Sequence, residues 1–302
     1  MLTRNPSTPR QPLLAAAWPV SRRWLCLAGL TGLCGLAVAQ DKPAALPLEN
    51  FDKTKFDQRS TTIDNPWLPM KPGTRYVYEG STVESGGKKV PHRIELHITD
   101  LTKVIDGVRV LVSYDLDFSG GKLEEAELAF FAQDIDGNVW HLGQYPEEYE
   151  NGKLTKAPAW IHGFEGARAG IMMKAKPQLG TPSYSQGWGP AVDWTDRGQA
   201  HEMGQTTKTR MGSYSDVLVI KETATSEVGA FHFKYYAKGV GNVRVGWSGS
   251  DKTKESLELV RVETMSPKMM DSVRARAMKL EKSAYIHSKT VYGPTAPAER
   301  RQ

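Results

Sequence analysis

The chain has 302 residues, with 39 Lys and Arg against 34 Asp and Glu, for a formal net charge of +5. Four of the basic residues and no acidic residue fall within positions 1–39, so residues 40–302 carry 35 basic and 34 acidic side chains. This near-neutral balance excludes the strongly basic domain that nucleic-acid binding requires. Both cysteines, Cys26 and Cys34, also lie in the first 39 residues, so the rest of the chain forms no disulfide and no thiolate metal site.

The first 39 residues have the pattern of an export signal. Arg22 and Arg23 precede an apolar run, Trp24–Leu36, and a small-residue exit at Ala37–Ala39. The run of about 13 residues is too short for a membrane-spanning helix, which needs about 20. We therefore predict a cleaved signal peptide over 1–39, a periplasmic or secreted mature chain and no transmembrane segment in it. The Ser-Arg-Arg-x-Leu order favours the twin-arginine type, which exports folded proteins, and an ordinary secretory leader is the alternative.

The remaining chain divides into a tether, one large domain, a helix and a tail. Residues 40–60 are rich in Lys, Asp, Pro and Ala without periodicity and predict a flexible tether. Residues 61–265 predict a single β-rich domain, because apolar and polar residues alternate between turn signals such as Asp106-Gly107. Within it, residues 146–204 form an irregular, Trp-rich segment.

About ten strands are expected, and a flat sheet of that size would expose its edges and one apolar face. The sequence therefore predicts a mainly β fold, a large curved antiparallel meander or open barrel of lipocalin-like or lipoprotein-carrier-like shape. Ser266 and Pro267 are an N-cap and a first-turn proline, so an amphipathic helix is predicted over 266–290. This helix either covers the sheet or, through Pro267–Lys289, meets a cell-envelope partner. Residues 291–302 are predicted to be a disordered tail.

Two blocks of the chain carry a resemblance. Residues 65–80 read Asn-Pro-Trp-Leu-Pro-Met-Lys-Pro-Gly-Thr-Arg-Tyr-Val-Tyr-Glu-Gly, and residues 235–241 read Tyr-Tyr-Ala-Lys-Gly-Val-Gly. In this order they resemble blocks of a group of bacterial secreted proteins of unassigned function, over about residues 65–262. The resemblance implies an exported β-rich domain and no particular activity. The chain departs from the pattern at His201-Glu202-Met203, where an acidic or polar stretch is expected.

The Trp-rich segment supplies the first candidate site. Aromatic side chains among glycines in a long irregular segment are typical of binding loops on a rigid sheet. The candidate ligand-binding residues are Trp160, His162, Tyr184, Trp188 and Trp194. They predict an exported binding or carrier domain for a small apolar molecule, a lipid or a polymer. In the alternative interpretation, these rings close one end of the sheet and exclude water.

A second hypothesis is a periplasmic hydrolase or metal-dependent enzyme. The histidines expected at strand ends or in loops, where ligands can converge, are His141, His162 and His201, with Glu202 or Glu165 as the carboxylate. No His-x-x-x-His motif and no Gly-x-Ser-x-Gly elbow occurs. The sequence thus predicts no cofactor beyond a weak divalent-metal candidate.

Other polar clusters have a simpler interpretation. The acidic clusters at 124–127 and 147–150 are typical of solvated strand ends. His97 and His232 each alternate with polar residues and so share a face of their predicted strand with them. This pattern predicts that both faces meet water.

Overall fold

The structure is a computed structural model that describes residues 46–84 and 86–301. The predicted signal peptide and residues 40–45 of the predicted tether lie outside the described residues.

Ten strands of eight residues or more form the frame of the fold. They are β1 (Thr74–Val83), β2 (Lys89–Ile105), β3 (Val108–Ser119), β4 (Lys122–Gln133), β5 (Val139–Glu150), β11 (Arg197–Thr209), β12 (Gly212–Thr223), β13 (Ala230–Ala237), β14 (Gly241–Gly249) and β15 (Ser256–Thr264). The shorter strands are β6 (Lys153–Lys156), β7 (Trp160–Ile161), β8 (Arg168–Met173), β9 (Tyr184–Ser185), β10 (Gly187–Trp188) and β16 (Glu299–Arg300). One α-helix, α1, spans Pro267–His287.

All 16 strands of the described residues belong to one antiparallel sheet. Thirteen of them follow the order β10-β8-β5-β4-β3-β2-β1-β15-β14-β13-β12-β11-β9, while β6 and β7 pair with β5 and β16 pairs with β2. The prediction of a mainly β, curved antiparallel meander with a C-terminal helix is confirmed. Turn chemistry explains why local pairing dominates: Asp106 and Gly107 both take positive φ, 46° and 82°, as the turn between β2 and β3 requires. The short strands β6 to β10 occupy the irregular segment between the two meanders.

The two ends of the sheet lie side by side. β9 pairs with β11 at one end, whereas β10 pairs with β8 at the other. Only Gln186 separates β9 from β10 in the chain, and one residue spans less than about 4 Å. The sheet must therefore curl until its edges meet, which encloses one of its faces.

Helix α1 covers the outer face of the curled sheet. Its buried side chains Val273, Ala277, Leu280 and Ala284 pack in one core with residues of β2 to β5. Ser266 caps the helix by accepting a hydrogen bond from the Met269 amide. Among residues 46–84 and 86–301, no helix is long and apolar enough to cross a membrane.

A second core fills the enclosed inner face. Ile98, Leu111 and Phe131 from one half of the sheet meet Leu218 and Ile220 from the other half. Neighbouring residues on β3 face opposite ways, since Leu111 belongs to the inner core and Val112 to the helix core. Strands β2 to β4 are thus buried on both faces.

The predicted flexible tether requires a correction for residues 46–60, which pack on the sheet. The Pro47 carbonyl accepts a hydrogen bond from Arg197 at 2.9 Å, and Ser60 donates to the Arg109 carbonyl at 2.7 Å. The Phe51 ring packs edge-on against Trp140, with 5.4 Å between centroids. Composition missed this packing because one aromatic side chain buries enough area to anchor a polar segment.

The predicted disordered tail also requires a correction, because residues 291–301 return to the sheet. Val291 and Tyr292 are buried, and β16 pairs with β2. The helix prediction over 266–290 is close to the observed Pro267–His287. The helix and tail together form part of the core of the domain.

A buried ion pair joins the sheet, helix and tail. Lys103 of β2 is fully buried, and its Nζ lies 3.0 Å from Glu281 Oε1 of α1. Lys103 also donates to the Ala296 carbonyl, while Glu281 accepts from the Ala298 amide at 2.8 Å. Tyr292 completes the site, with its ring 4.3 Å from Lys103 Nζ.

We predict that Lys103→Met destabilises the domain by about 3 kcal/mol, because it leaves the Glu281 carboxylate buried without its cation. Urea unfolding of the mature chain measures this change. Lys282→Met, on the exposed side of the same helix, is the control and should change stability by less than about 0.5 kcal/mol. Equal stability of the two variants would contradict the anchoring role of Lys103.

Candidate functional site

Two tryptophans of the irregular segment lie in the core of the domain. Trp160 and Trp194 are 2% and 1% exposed, with ring centroids 5.7 Å apart. His141 of β5 is fully buried between them and Phe131, which stacks on it at 4.9 Å. A Cβ on Gly187 would come within 2.6 Å of Trp160, so this packing leaves no gap. The water-excluding interpretation of these two rings fits their positions.

The other predicted ligand-binding residues are spread over the surroundings of this cluster. Tyr184 is buried beneath Lys174, whose Nζ lies 4.7 Å from the ring, and Trp188 is half-buried on β10. The His162 ring contacts Phe51 at a tilt of 58°, with 4.3 Å between centroids, and its Nδ1 accepts a hydrogen bond from the Ala169 amide. None of the five is among the residues that line the inner-face cavity described below.

The structure separates the histidines proposed for metal binding. Burial lowers the pKa of His141 to about 3, so this ring is neutral inside the aromatic cluster. His201 lies on β11, half-exposed against Phe233, with Nε2 3.8 Å from Glu202 Oε1. Within residues 46–84 and 86–301, no group of three or more His, Cys, Asp or Glu side chains is placed to hold a metal ion.

A cavity opens instead on the inner face, where β1, β2 and β13 to β15 curl toward one another; we call it the inner chamber. Its walls are mostly apolar and aromatic, and its polar groups include the side chains of Ser113, Lys234 and Asn242 and the tyrosine hydroxyls. The lining is Leu68, Pro69, Met70, Tyr76, Tyr78, Ile94, Leu96, Ile98, Val240, Gly241, Val245 and Leu257, with Ser113, Lys234, Tyr236 and Asn242. Both sequence blocks, residues 65–80 and 235–241, border the chamber.

The inner chamber has a volume of about 600 Å³ when the solvent space of its mouth is included. Its enclosed part holds on the order of three waters, so a longer ligand has to be narrow enough to extend through the mouth.

Lys234 is the cation of the chamber wall. It is 2% exposed, and its Nζ lies 2.8 Å from Glu222 Oε2. Glu222 in turn accepts a hydrogen bond from Gln186 at 2.9 Å, in the segment where the two sheet edges meet. This wall charge is thus balanced by its own carboxylate.

Five carboxyl groups lie on the inner face of the sheet, and we call them the carboxylate row. They belong to Asp115, Asp117, Glu125, Glu127 and Glu148. Asp115 pairs in register with Glu127, Asp117 with Glu125, and Glu125 with Glu148. All five are at most 6% exposed. The expectation that the acidic clusters at 124–127 and 147–150 are solvated is wrong for these members, because the curled sheet covers them.

One end of the carboxylate row is charge-compensated. His92 lies between two carboxylates, with Nε2 2.8 Å from Asp117 and Nδ1 3.0 Å from Glu255. Burial opposes the charged imidazole, but the combined hydrogen bonds and charges of Asp117 and Glu255 outweigh it and raise the pKa of His92 to about 10. Lys156 lies 3.5 Å from Glu148.

The other members of the row have no cation beside them. In the part of the chain that the structure describes, no ion pair reaches Asp115, Glu125 or Glu127. Burial raises the pKa of Asp115 to about 7. Burial, and then the charges of Glu127 and Glu148, raise the pKa of Glu125 well above its usual range, and burial beside Asp115 does the same for Glu127.

The strand histidines differ from their predicted solvated positions. His97 is buried under α1, where it hydrogen-bonds the Tyr114 carbonyl at 3.0 Å and burial lowers its pKa to about 4. His232 lies 3.4 Å from the buried Asp251. Alternation along a strand shows which residues share a face, but it does not show whether that face meets water.

Comparison with known proteins assigns no family. No family model matches the chain, and no curated protein matches it. A candidate exported protein with a YmcC-like fold from Bacteroides fragilis NCTC 9343 aligns with a TM-score of 0.39 and 12% identity, over 65% of this chain and 98% of its own. A candidate lipoprotein from Parabacteroides distasonis ATCC 8503 aligns with a TM-score of 0.31 and 9% identity, over 66% and 99%. Similarity this low assigns neither a fold family nor a function.

We predict that Asp115 makes the domain less stable as the pH rises from 4 to 7. The folded chain keeps the Asp115 proton up to about pH 7, whereas an unfolded aspartate loses it near about pH 3.9. The folded state binds the extra proton between these values, so the free energy of unfolding falls by about 1.4 kcal/mol for each unit of difference in pKa.

Asp115→Asn should therefore flatten this slope and make the domain more stable than the parent at pH 8, as measured by urea unfolding at pH 5 and pH 8. Asp216→Asn changes an exposed aspartate in the same way and should keep the parent slope. An unchanged slope in Asp115→Asn would contradict the buried, protonated state of Asp115.

Proposed function

We propose that this chain is an exported protein whose mature domain binds a slender apolar or amphipathic ligand in the inner chamber. The single observation that carries the proposal is the chamber itself, an apolar cavity with a few polar groups, enclosed by a rigid sheet. Tyr76, Tyr78 and Tyr236 provide aromatic surface there, and Ile94, Leu96 and Leu257 provide aliphatic surface. These surfaces gain free energy by removing an apolar ligand from water.

The construction of the chamber favours binding over catalysis. Its lining comes from six long strands, β1 to β3 and β13 to β15, and two loops, and the strands are hydrogen-bonded to their neighbours along the sheet. Such a frame holds a preformed shape, which lowers the entropy cost of binding. The lining contains no histidine and no serine beside a histidine base, so the chamber lacks the nucleophile arrangement of an acyl-transfer site.

Export is supported by the leader. Arg22, Arg23, the apolar run Trp24–Leu36 and the small residues Ala37–Ala39 follow the order of a signal peptide. The ten-strand meander pairs distant segments, which slows folding, so a route that exports folded chains would suit it.

Filling the chamber tests the binding proposal. We expect 1-octanol to bind the mature chain, and Leu96→Trp to weaken that binding at least tenfold because the indole occupies the cavity. Isothermal titration calorimetry measures both affinities. Leu123→Trp is the matched control, since Leu123 is also half-buried but packs with the helix core, and it should bind octanol as the parent does. No octanol binding by the parent, or equal binding by both variants, would contradict the proposal.

The export route is tested on the full chain in a bacterium with a twin-arginine pathway. We expect the parent chain to give a periplasmic product that begins at Gln40, as identified by mass spectrometry. The double variant Arg22→Lys/Arg23→Lys should remain in the cytoplasm. Arg4→Lys/Arg10→Lys is the control and should be exported normally. Normal export of both double variants would indicate an ordinary secretory leader. Retention of the parent chain in the cytoplasm would contradict the proposal that the protein is exported.

A further inference from the structure

Three neighbouring turns lie together at one end of the sheet, and we call them the basic tip. They are residues 86–89 where β2 begins, 225–229 between β12 and β13, and 250–254 between β14 and β15. Backbone hydrogen bonds join the hairpins here. The Val83 amide donates to the Thr253 carbonyl at 2.6 Å, and the Ser250 amide donates to the Gly229 carbonyl at 2.8 Å. The three turns therefore form one continuous surface.

The basic tip exposes apolar side chains to water. Val228, in the turn 225–229, is 88% exposed. Trp247 on β14 is also exposed, and Phe231 on β13 is half-buried. Trp247 pairs in register with His232, the neighbour of Phe231, so the two aromatic rings lie on opposite faces of the sheet. Val228 at the end of the sheet is thus flanked by an aromatic ring on each face.

The exposed charge of the basic tip is positive. Every exposed charged side chain in the three turns is a lysine, namely Lys88, Lys89, Lys252 or Lys254. The carboxylates here are less accessible, since Glu84 and Glu227 are half-buried and Asp251 is buried, with Oδ2 3.4 Å from His232 Nε2. The tip therefore presents cations around its exposed valine.

Lysine side chains also lie over both flanking aromatic rings. Lys254 Nζ is 5.5 Å from the centre of the Trp247 ring, and Lys221 Nζ is 5.4 Å from the centre of the Phe231 ring. Aromatic rings beside lysines are typical of the boundary between water and lipid, where the ring lies at the level of the headgroups and the ammonium stays in water.

The size of the apolar surface favours a bilayer over a protein partner. A stable protein interface buries about 800 Å² on each partner around a packed apolar core in which lysine is depleted. The basic tip has only three apolar side chains, Val228, Phe231 and Trp247, and they are divided between two faces of the sheet. An anionic bilayer requires no such matched core, because it accepts single apolar side chains and attracts lysines by charge.

We propose that the basic tip binds the surface of a membrane that contains anionic phospholipids, with the Val228 side chain inserted among the headgroups. The lysines contact lipid phosphates, and the rings of Trp247 and Phe231 lie at the headgroup level. This contact is separate from ligand binding, because the tip shares no residue with the inner chamber. The chamber residues Val240 and Gly241 lie at the opposite end of β13 and β14.

Vesicle flotation of the mature chain tests the proposal. We expect binding to vesicles of phosphatidylglycerol and phosphatidylcholine, and at least tenfold weaker binding to vesicles of phosphatidylcholine alone. Raising NaCl from about 0.05 M to about 0.5 M should weaken the binding to anionic vesicles, because salt screens exposed charges. Absence of binding by the parent chain, or equal binding to both vesicle types, would overturn the proposal.

Variants with matched controls locate the contact. Val228→Asp should reduce affinity for anionic vesicles at least tenfold, whereas Ile135→Asp should bind as the parent does. Ile135 is 65% exposed and lies between β4 and β5, at the other end of the sheet. Lys252→Gln/Lys254→Gln should also weaken binding. Lys268→Gln/Lys279→Gln removes the same charge from the exposed side of α1 and should not. Equal losses in a variant and its control would overturn the assignment to the tip.

A fluorescent label tests insertion directly. Residues 40–302 contain no cysteine, so Val228→Cys and Ile135→Cys each provide one labelling site. A nitrobenzoxadiazole label at 228 should shift its emission to shorter wavelength with anionic vesicles, and a label at 135 should not. This measurement decides the question if circular dichroism shows that Val228→Asp does not fold. No shift at 228 in the bound chain would overturn insertion. Self-association that Val228→Asp abolishes, without vesicle binding, would assign the tip to a protein contact and overturn the proposal.

Discussion

Burial of both faces of strands β2, β3 and β4 is the constraint on which the rest of the structure depends. Helix α1 covers the outer face, and the opposite half of the curled sheet covers the inner face. Most residues in the middle of these strands then lie in one core or the other, so polar residues at these positions cannot reach water. They must pair, bind a ligand or lose their charge. Lys103 and Glu281 pair on the outer side, whereas Asp115 does not pair on the inner side.

The curl also explains why the chamber contains groups that are distant in the chain. Tyr78 and Tyr236 come from the two meanders, and the segment around Gln186 holds the two edges of the sheet together. Gln186 hydrogen-bonds Glu222, which pairs with the chamber residue Lys234. The segment that closes the sheet is therefore linked to the chamber wall by the polar contacts of Gln186, Glu222 and Lys234.

The strand pattern was predictable because turn residues such as Asp106-Gly107 separate regular alternations, and the helix was predictable from its Ser266-Pro267 start. Whether each face of a strand meets water or the core was not predictable. Alternation places Glu125 and Glu127 on one side of β4, but only the long-range curl shows that this side is buried. The same limit applies to Trp160, whose sequence context indicates a cluster without showing whether the rings face a ligand or the core.

Asp115 shows how burial and charge oppose each other at one position. Burial without a cation favours its protonated form and reduces the stability of the fold near neutral pH, so a folding requirement alone would favour asparagine there. Asparagine would keep the hydrogen bond from Ser113 and remove the charge. Asp115 is thus a position where the residue present differs from the one that stability alone would select. Tyr236 supports the same argument, because phenylalanine would fill the wall equally well without a buried, unsatisfied hydroxyl.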